Sequence, residues 1–400
     1  MTQRSFVTIL IVICLVCGLG PFSTDMYLPT IPDLAQDMHT SVTTMQLTVS
    51  VFFAGLAVGQ LCYGPLADAF GRRITLLCGI GIFFCASVIA IFSTSFEMFF
   101  VMRLSQALGA ASGMVVINAI LRDMYEGDRF VRAITITMLT MNVAPLLAPV
   151  LGGFIAPFGW RVAFICLSVY AFIVFCAVSI LIKETLPQER RQSINLKAVL
   201  NNYRRILTNT KTLGALGAQT ANGAGLFVFI SGSPFVYMKC FGISSEMYGL
   251  LFALNVVSIF ILTSFNALLV KKFGLLRTLF GALIYSAAGG VILVVCAMLK
   301  CDSILSFVLP TIMFICVLGI VGATSTTYIL GIFEDMSGTA SATVGSLRFA
   351  FGSLAGFILN SYPAESPLPL AVAMCFCGIA ALVFFWISRL LVRKARDEQR

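Results

Sequence analysis

The sequence has 400 residues, of which 59% are hydrophobic and 11% charged, and its formal net charge is +9. So much apolar surface cannot be hidden inside one water-soluble core, which excludes an ordinary soluble domain. The basic residues lie in short segments between long apolar stretches, a placement that favours a membrane protein over a nucleic-acid-binding one.

Twelve apolar stretches follow one another along the chain. A helix needs about 20 apolar residues to cross the hydrocarbon layer. The apolar character is continuous rather than alternating, which favours helices over a β-barrel. We therefore predict an all-α integral membrane protein with twelve transmembrane helices. The predicted spans are residues 6–28, 42–63, 74–92, 97–121, 131–155, 161–182, 213–237, 247–270, 276–299, 303–328, 338–361 and 368–391.

The basic residues predict the orientation of these spans. If the N-terminus is cytoplasmic, all but five of the 26 basic residues fall in cytoplasmic segments, as the positive-inside rule requires. Both termini are therefore expected in the cytoplasm, and the first stretch is interpreted as an uncleaved helix rather than a signal peptide. The five exceptions are Arg161, Lys239 and Lys300 in outer loops and Arg103 and Arg348 inside spans.

One long polar connection divides the chain into two halves of six spans each. We predict an N-terminal bundle over residues 1–182, a basic cytoplasmic linker over 183–212 and a C-terminal bundle over 213–400. The two halves are weakly similar in sequence. At one fixed offset, Phe70 and Gly71 align with Phe273 and Gly274, and the fifth span matches the eleventh. This predicts duplicated, pseudo-symmetric halves that rock around a central cavity.

Asp25 is the acidic residue placed to do chemistry inside a predicted span. It lies between Pro21 and Pro29, where prolines and small residues loosen the helical hydrogen-bond ladder. Ionisable residues inside spans are costly, and a buried carboxyl is a candidate for loading and releasing a proton. The alternative is a carboxylate near the outer surface that only caps a helix.

Arg103 lies in the fourth span, followed by Gln106 and several small residues. Small residues allow a neighbouring helix to approach closely, so the guanidinium is expected to face the bundle interior and to pair with Asp25 until that acid is protonated. The alternatives are a structural ion pair or an arginine that reaches for lipid head groups.

Arg348 lies in the middle of the eleventh span, which contains no acidic residue. Whether it faces the cavity and meets substrate, or has a structural role, stays open at this point. Two arginines against one acid inside the spans favour neutral, zwitterionic or anionic substrates over lipophilic cations.

The connection after the second span combines glycines with charged residues. Gly64 and Gly71 permit a tight reversal, Asp68 is expected against the positive end of a nearby helix, and Arg72 and Arg73 hold the loop on the cytoplasmic side. From the residues alone, such a basic loop is usually only a topology anchor.

The fifth span carries Pro149, Gly152 and Gly153, a run that should bend the helix and allow close packing.

These segments resemble motifs of the major facilitator superfamily. The loop from Gly64 to Arg73 is similar to the signature Gly-x-Leu-x-Asp-Arg-x-Gly-Arg-Lys/Arg, with Ala69 in place of an arginine. This resemblance implies a gating loop formed by Gly64, Asp68, Gly71, Arg72 and Arg73. The Arg103 stretch resembles the Arg-x-x-Gln-Gly motif of drug/proton antiporters, with Ala107 for the glycine. The run ending in Gly153 resembles their antiporter motif Gly-x-x-x-Gly-Pro-x-x-Gly-Gly, with Ala144 and Ala148 for two glycines.

Three further segments resemble the Bcr/CflA family of bicyclomycin-resistance efflux proteins: Asp25-Met-Tyr-Leu-Pro29, Ser233-Pro-Phe235 and Gly338-Thr-Ala-Ser341. This resemblance implies the major facilitator fold and a drug:proton antiporter of the bacterial inner membrane that works by alternating access. It implies that Asp25 carries the proton, and the expected pairing makes Arg103 its partner in proton coupling. The expected substrate-binding residues, mainly on spans 1, 4, 7 and 10, are Asp25, Tyr27, Arg103, Gln106, Asn118, Phe227 and Arg348.

Other functions fit the sequence less well. A dedicated exporter of a metabolite or siderophore is the alternative within the same class. An intramembrane enzyme is disfavoured because we find no His/Glu metal cluster, no serine with a plausible base and no nucleotide-binding loop. A sensor is disfavoured because no soluble signalling domain is evident. The expected partners are a small-molecule substrate, protons and membrane lipid, without nucleic acid, metal or cofactor, and the chain is expected to be a monomer.

Overall fold

The computed structural model describes residues 3–191, 196–301, 303–333, 336–361 and 366–397, which form helices and no β-strand. Twelve helical segments are long and apolar enough to cross a membrane, which confirms the prediction of an all-α, twelve-span protein. These segments are Phe6–Asp37, Val42–Phe70, Arg72–Ile91, Phe96–Met124, Gly127–Phe158, Trp160–Leu181, Thr210–Cys240, Ser245–Ser264, Leu275–Met298, Leu305–Leu330, Gly338–Asn360 and Leu368–Arg389.

The chain divides into two compact units. Unit 1 consists of Met1–Asn195 together with Ser244–Ala253, and unit 2 consists of Leu196–Ile243 together with Leu254–Arg400. The domain boundaries proposed from the sequence stay a prediction. Residues 192–195 of the proposed linker, and residues 1–2 and 398–400 at the proposed cytoplasmic termini, lie outside the described residues.

Unit 1 contains seven helices before its last segment. They are α1 Gln3–Asp25, α2 Ile31–Asp37, α3 Val42–Phe70, α4 Arg72–Ile91, α5 Phe96–Met124, α6 Gly127–Ile155 and α7 Trp160–Leu181. Within this unit α1 packs on α6, and α4 packs on both α5 and α7. Ser41 and Ser95 begin α3 and α5 by accepting a hydrogen bond from the backbone N–H three residues later, the usual role of a serine at this position.

Unit 2 follows the same plan, with more breaks in its helices. They are α8 Leu196–Leu207, α9 Thr210–Pro234, α10 Ser245–Ser264, α11 Asn266–Phe273, α12 Leu275–Met298, α13 Leu305–Ile315, α14 Leu318–Leu330, α15 Ser337–Asn360 and α16 Leu368–Asp397. The first part of α10 belongs to unit 1. Here α9 packs on α15, and α12 packs on both α13 and α16. These pairings repeat those of unit 1, which agrees with the predicted pseudo-symmetric halves.

The repeat is also visible in two glycine turns. Gly71 joins α3 to α4 with φ 102° and ψ 155°, and Gly274 joins α11 to α12 with φ 83° and ψ 158°. Residues with a side chain rarely adopt a positive φ, so glycine is required at both turns. The alignment of these two glycines in the sequence therefore corresponds to the same local backbone in each unit.

Candidate functional site

Asp25 is the last residue of α1 and is almost completely buried, with 4% of its surface exposed. Pro21 lies inside the helix and has no N–H to donate, and the hydroxyl of Thr24 donates to the Gly20 carbonyl at 2.9 Å. After Asp25 the chain leaves the helical path and re-forms a short 3-10 turn over Leu28–Thr30. The Oδ1 atom of Asp25 is buried without a hydrogen-bond partner.

Arg103, on α5, is fully buried and reaches α1. Its Nη1 atom donates to the Ser23 carbonyl at 3.1 Å, to the Ser23 hydroxyl at 3.0 Å and to Gln106 Oε1 at 2.6 Å. The amide of Gln106 in turn donates to the Ser87 hydroxyl at 2.7 Å. A chain of hydrogen bonds from α4 through α5 therefore holds the guanidinium against the end of α1.

Two aromatic rings also contact this guanidinium. The Arg103 Cζ atom lies 4.2 Å from the ring centroid of Tyr27 and 4.3 Å from that of Phe52, distances typical of cation–π contacts. The Tyr27 hydroxyl shares a hydrogen bond of 3.0 Å with Thr48 on α3. Tyr27 and Gln106, both predicted to contact substrate, are thus buried and hold Arg103 in place.

Asp25 and Arg103 lie in the same buried region but are not in direct contact. The ion pairs among the described residues, Arg72–Asp68, Arg72–Asp123 and Arg161–Asp37, do not include them, although the two side chains interact electrostatically. The Nε and Nη2 atoms of Arg103 make no hydrogen bond, like Oδ1 of Asp25. One acceptor on Asp25 and two donors on Arg103 are therefore unused and lie in the same buried region. The pairing of Asp25 with Arg103 stays a prediction.

The small residues of α6 pack against the chain just after Asp25. A Cβ atom at Gly152 would overlap the backbone of Met26, and one at Gly153 would lie 2.7 Å from the Ser245 carbonyl oxygen. Gly249, on the part of α10 that belongs to unit 1, packs in the same way on the backbone of Pro149. The residues from Pro149 to Gly153 therefore bring the backbone of α6 close to the chain that follows α1 and to the start of α10.

The loop predicted to act as a gate forms a charged network. Arg72 donates to Asp68 at 2.5 Å and to Asp123, at the end of α5, at 3.4 Å. The Arg73 guanidinium donates to the Ser179 carbonyl of α7 at 2.6 Å. Gly64 lies in α3 with open space around it, so a tight reversal at that position is not observed. Gly71 alone makes the turn.

The residue at the positive end of α4 is Glu184, whereas the sequence had suggested Asp68. The Glu184 carboxylate accepts hydrogen bonds from the backbone N–H of Arg72 at 2.9 Å and of Arg73 at 3.2 Å. The first N–H groups of a helix have no partner inside it, and a carboxylate there also interacts favourably with the helix dipole. Asp68 is one turn before Arg72 and pairs with its side chain instead.

The remaining predicted substrate residues lie in two places. Asn118 is exposed on α5 and donates to the Met114 carbonyl at 3.4 Å. In unit 2, Arg348 on α15 is half-buried, and its Cζ atom lies 5.5 Å from the ring centroid of Phe227 on α9. The structure therefore brings Asp25, Tyr27, Arg103 and Gln106 together in unit 1, and Phe227 and Arg348 together in unit 2.

Residues 13–359 match the family described as Major Facilitator Superfamily. The chain belongs to the major facilitator superfamily. As the sequence motifs indicated, it is a multi-pass membrane transporter and not an enzyme.

Similar proteins support this placement. The transporter is 27% identical over 96% of both chains to the "Bicyclomycin resistance protein homolog" of Haemophilus influenzae. It is 24% identical over 97% of both chains to "Multidrug resistance protein D" of Escherichia coli. The crystal structure of a D-xylose-proton symporter matches it with a TM-score of 0.77, at 15% identity, over 96% of this chain and 97% of that one. The recognition from sequence is thus confirmed.

Sequence reasoning missed several residues of the transporter's site. Ser23 and Ser87 bind the Arg103–Gln106 pair, and Asp123 and Glu184 complete the network around Arg72. Serines are common in spans and carry no distinctive signal. Asp123 and Glu184 each follow an apolar stretch after one basic residue, which could have identified them as candidates for contact with a basic loop.

Proposed function

We propose that this transporter exports small organic molecules, including drugs, across the bacterial inner membrane in exchange for protons. Both termini would face the cytoplasm. The halves over residues 1–182 and 213–400 would rock about a central site, as a monomer surrounded by membrane lipid. Relatives named for resistance to bicyclomycin and to multiple drugs support export, and the buried carboxyl of Asp25 supports coupling to protons.

The observation that carries the proposal is the unused hydrogen-bonding capacity shared by two buried residues of opposite charge. A protonated Asp25 needs no cation, and Arg103 then remains on Ser23 and Gln106, as in the structure. A deprotonated Asp25 would attract the free Nε and Nη2 atoms of Arg103. Moving that guanidinium would break its bonds to Ser23 and so loosen the end of α1. Proton loss and a change in the packing of α1 on α5 would thus be linked.

Proton exchange by purified protein tests this proposal. The transporter is reconstituted into liposomes that contain a pH-sensitive dye, and bicyclomycin is added on one side. We expect the wild type to move protons when bicyclomycin is added, and Asp25→Asn to lose at least nine-tenths of that movement while keeping its thermal stability. Asp33→Asn serves as the control, because Asp33 is an exposed acid of α2 outside the site. Normal coupled exchange in Asp25→Asn would overturn the proposal.

A dedicated exporter of a metabolite or siderophore is the second candidate, favoured by the arginine at position 348. A nucleoside, amino acid or organic anion would be the class of substrate. Growth of an efflux-deficient bacterium that expresses the transporter, measured across a panel of antibiotics, separates the two. Protection against several unrelated drugs supports drug efflux, and protection against none supports the dedicated role.

A further inference from the structure

The spans of unit 2 contain a charged residue in an unusual place. Arg348 is near the middle of its span, Gly338–Asn360, whereas the other charged residues of the last six spans lie within three residues of a span end. The single acid in those six spans is Glu246, which belongs to unit 1. The spans of unit 2 therefore provide Arg348 with no carboxylate.

The surroundings of Arg348 are apolar on the side of α9. Gly223 provides the space for its side chain, since a Cβ atom there would lie 2.9 Å from Arg348 Cγ and 3.1 Å from Nε. Phe227 lies one turn further along α9, and its ring centroid is 5.1 Å from that of Phe349. Gly352 makes room for the Phe227 ring in the same way. Two glycines thus form a recess in which an arginine lies beside aromatic rings.

The guanidinium of Arg348 lacks the partners that Arg103 has. Its Nε atom is buried without a hydrogen-bond partner, and no described acid lies within ion-pair distance of it. Arg103 by contrast has three acceptor atoms around Nη1, two of them on Ser23 and one on Gln106. A charged residue inside a span is costly, and here its Nε atom is buried without a partner, so such a residue usually has a functional partner. A planar guanidinium matches the two oxygens of a carboxylate.

We propose that Arg348 recognises a carboxylate on the exported molecule. The aromatic rings of Phe227 and Phe349 would contact the apolar part of that molecule. The exported molecules then include amphipathic carboxylic acids and zwitterions beside neutral drugs, and exclude lipophilic cations. This inference rests on the proposed export function, because it takes the recess to be open to substrate at some stage of transport.

Binding to a matched set of three compounds tests the inference. The probes are 4-phenylbutyrate, its neutral primary amide and the corresponding amine, which share one apolar body. The transporter is purified into nanodiscs of phosphatidylcholine, so that no anionic lipid competes for Arg348. We expect 4-phenylbutyrate to raise Tm and to bind at least tenfold more tightly than the amide, and the amine to have no effect.

Variants then assign the effect to Arg348. Arg348→Gln should bind the carboxylate no better than the amide, and Arg348→Lys should keep part of the preference because it keeps the charge but not the planar fork. Gly223→Ala, which disturbs the recess without removing the charge, should weaken binding of the carboxylate. Arg277→Gln is the control, since Arg277 is an exposed arginine at the start of α12, and it should bind as the wild type does.

The outcomes distinguish this inference from the proposed function. Absence of any Tm shift with 4-phenylbutyrate, an equal shift with the amide, or unchanged binding in Arg348→Gln overturns the carboxylate site. A wild-type preference that persists in Asp25→Asn while proton exchange is lost supports both proposals. A carboxylate preference combined with normal proton exchange in Asp25→Asn supports the binding site and overturns the proposed coupling alone.

Discussion

Glu184 caps the helix that begins at Arg72, although 112 residues separate the two in sequence. Its carboxylate accepts the backbone N–H groups of Arg72 and Arg73, and its Oε1 atom also accepts the N–H groups of Thr185 and Leu186. One side chain after α7 therefore connects the start of α4 to the chain that leaves unit 1.

Removing the Glu184 carboxylate should destabilise the transporter. Glu184→Ala leaves the first N–H groups of α4 without their acceptor, at a cost of about 1 kcal/mol. Glu184→Gln keeps an acceptor but loses the charge, so its effect should be smaller. Thermal unfolding of the detergent-solubilised protein measures both changes. Glu189→Ala, an exposed acid five residues later, is the control and should unfold as the wild type does.

Alanine at Gly71 should cost more stability than alanine at Gly274. Both substitutions force a side chain to adopt a positive φ, at about 1 kcal/mol each. At Gly71 the new Cβ would also displace the Glu184 carboxylate, whereas at Gly274 it would enter open space. Denaturation midpoints of the two variants measure the difference. Equal losses of stability would show that the Glu184 carboxylate can move away from the new methyl group at no cost.

Gly152→Ala should disrupt the packing of α6 on the end of α1. The added methyl group would overlap the Met26 backbone, which follows Asp25 directly and cannot move aside as a flexible side chain can. Overpacking of this kind costs about 1–3 kcal/mol. We expect a lower Tm and slower proton exchange in the liposome assay. Gly281→Ala, in α12 with nothing within 4 Å of the new Cβ, should be neutral or slightly stabilising. A neutral Gly152→Ala would contradict the observed contact.

Substitutions at Tyr27 separate the hydroxyl from the ring. Tyr27→Phe loses the hydrogen bond to Thr48, worth about 1 kcal/mol, but keeps the ring over Arg103. Tyr27→Leu loses both contacts. We therefore expect Tyr27→Phe to retain proton exchange and Tyr27→Leu to lose it, in the same liposome assay. If the two variants behave alike, the aromatic contact with Arg103 has no role in coupling.

Much of the fold could be predicted because each helix contains its own signal. Twelve apolar stretches predicted twelve spans, and the aligned Gly71 and Gly274 predicted equivalent turns in the two halves. The ends of spans were harder to predict, since the first span continues through a 3-10 turn as far as Asp37. The residues between α1 and α2 are as apolar as a helix, and hydrophobicity alone does not mark the break.

The partners of the charged residues could not be predicted in the same way. The sequence suggested that Arg103 faces the interior, which it does, but not that its acceptor would be Ser23, 80 residues away. It likewise assigned Asp68 to a helix end that Glu184 occupies. A serine or a glutamate in such positions has many possible contacts, and only the packing of helices against one another selects one.

The sequence by itself determined that this chain has twelve stretches able to cross a membrane, because the length and apolarity of a span are properties of about 20 consecutive residues. The family was indicated separately, by short motifs that resemble those of the major facilitator superfamily. The tertiary structure decided which donors and acceptors meet. It left Asp25 without a hydrogen bond at Oδ1 and brought Arg348 next to Phe227, since contacts between distant helices depend on how their backbones approach.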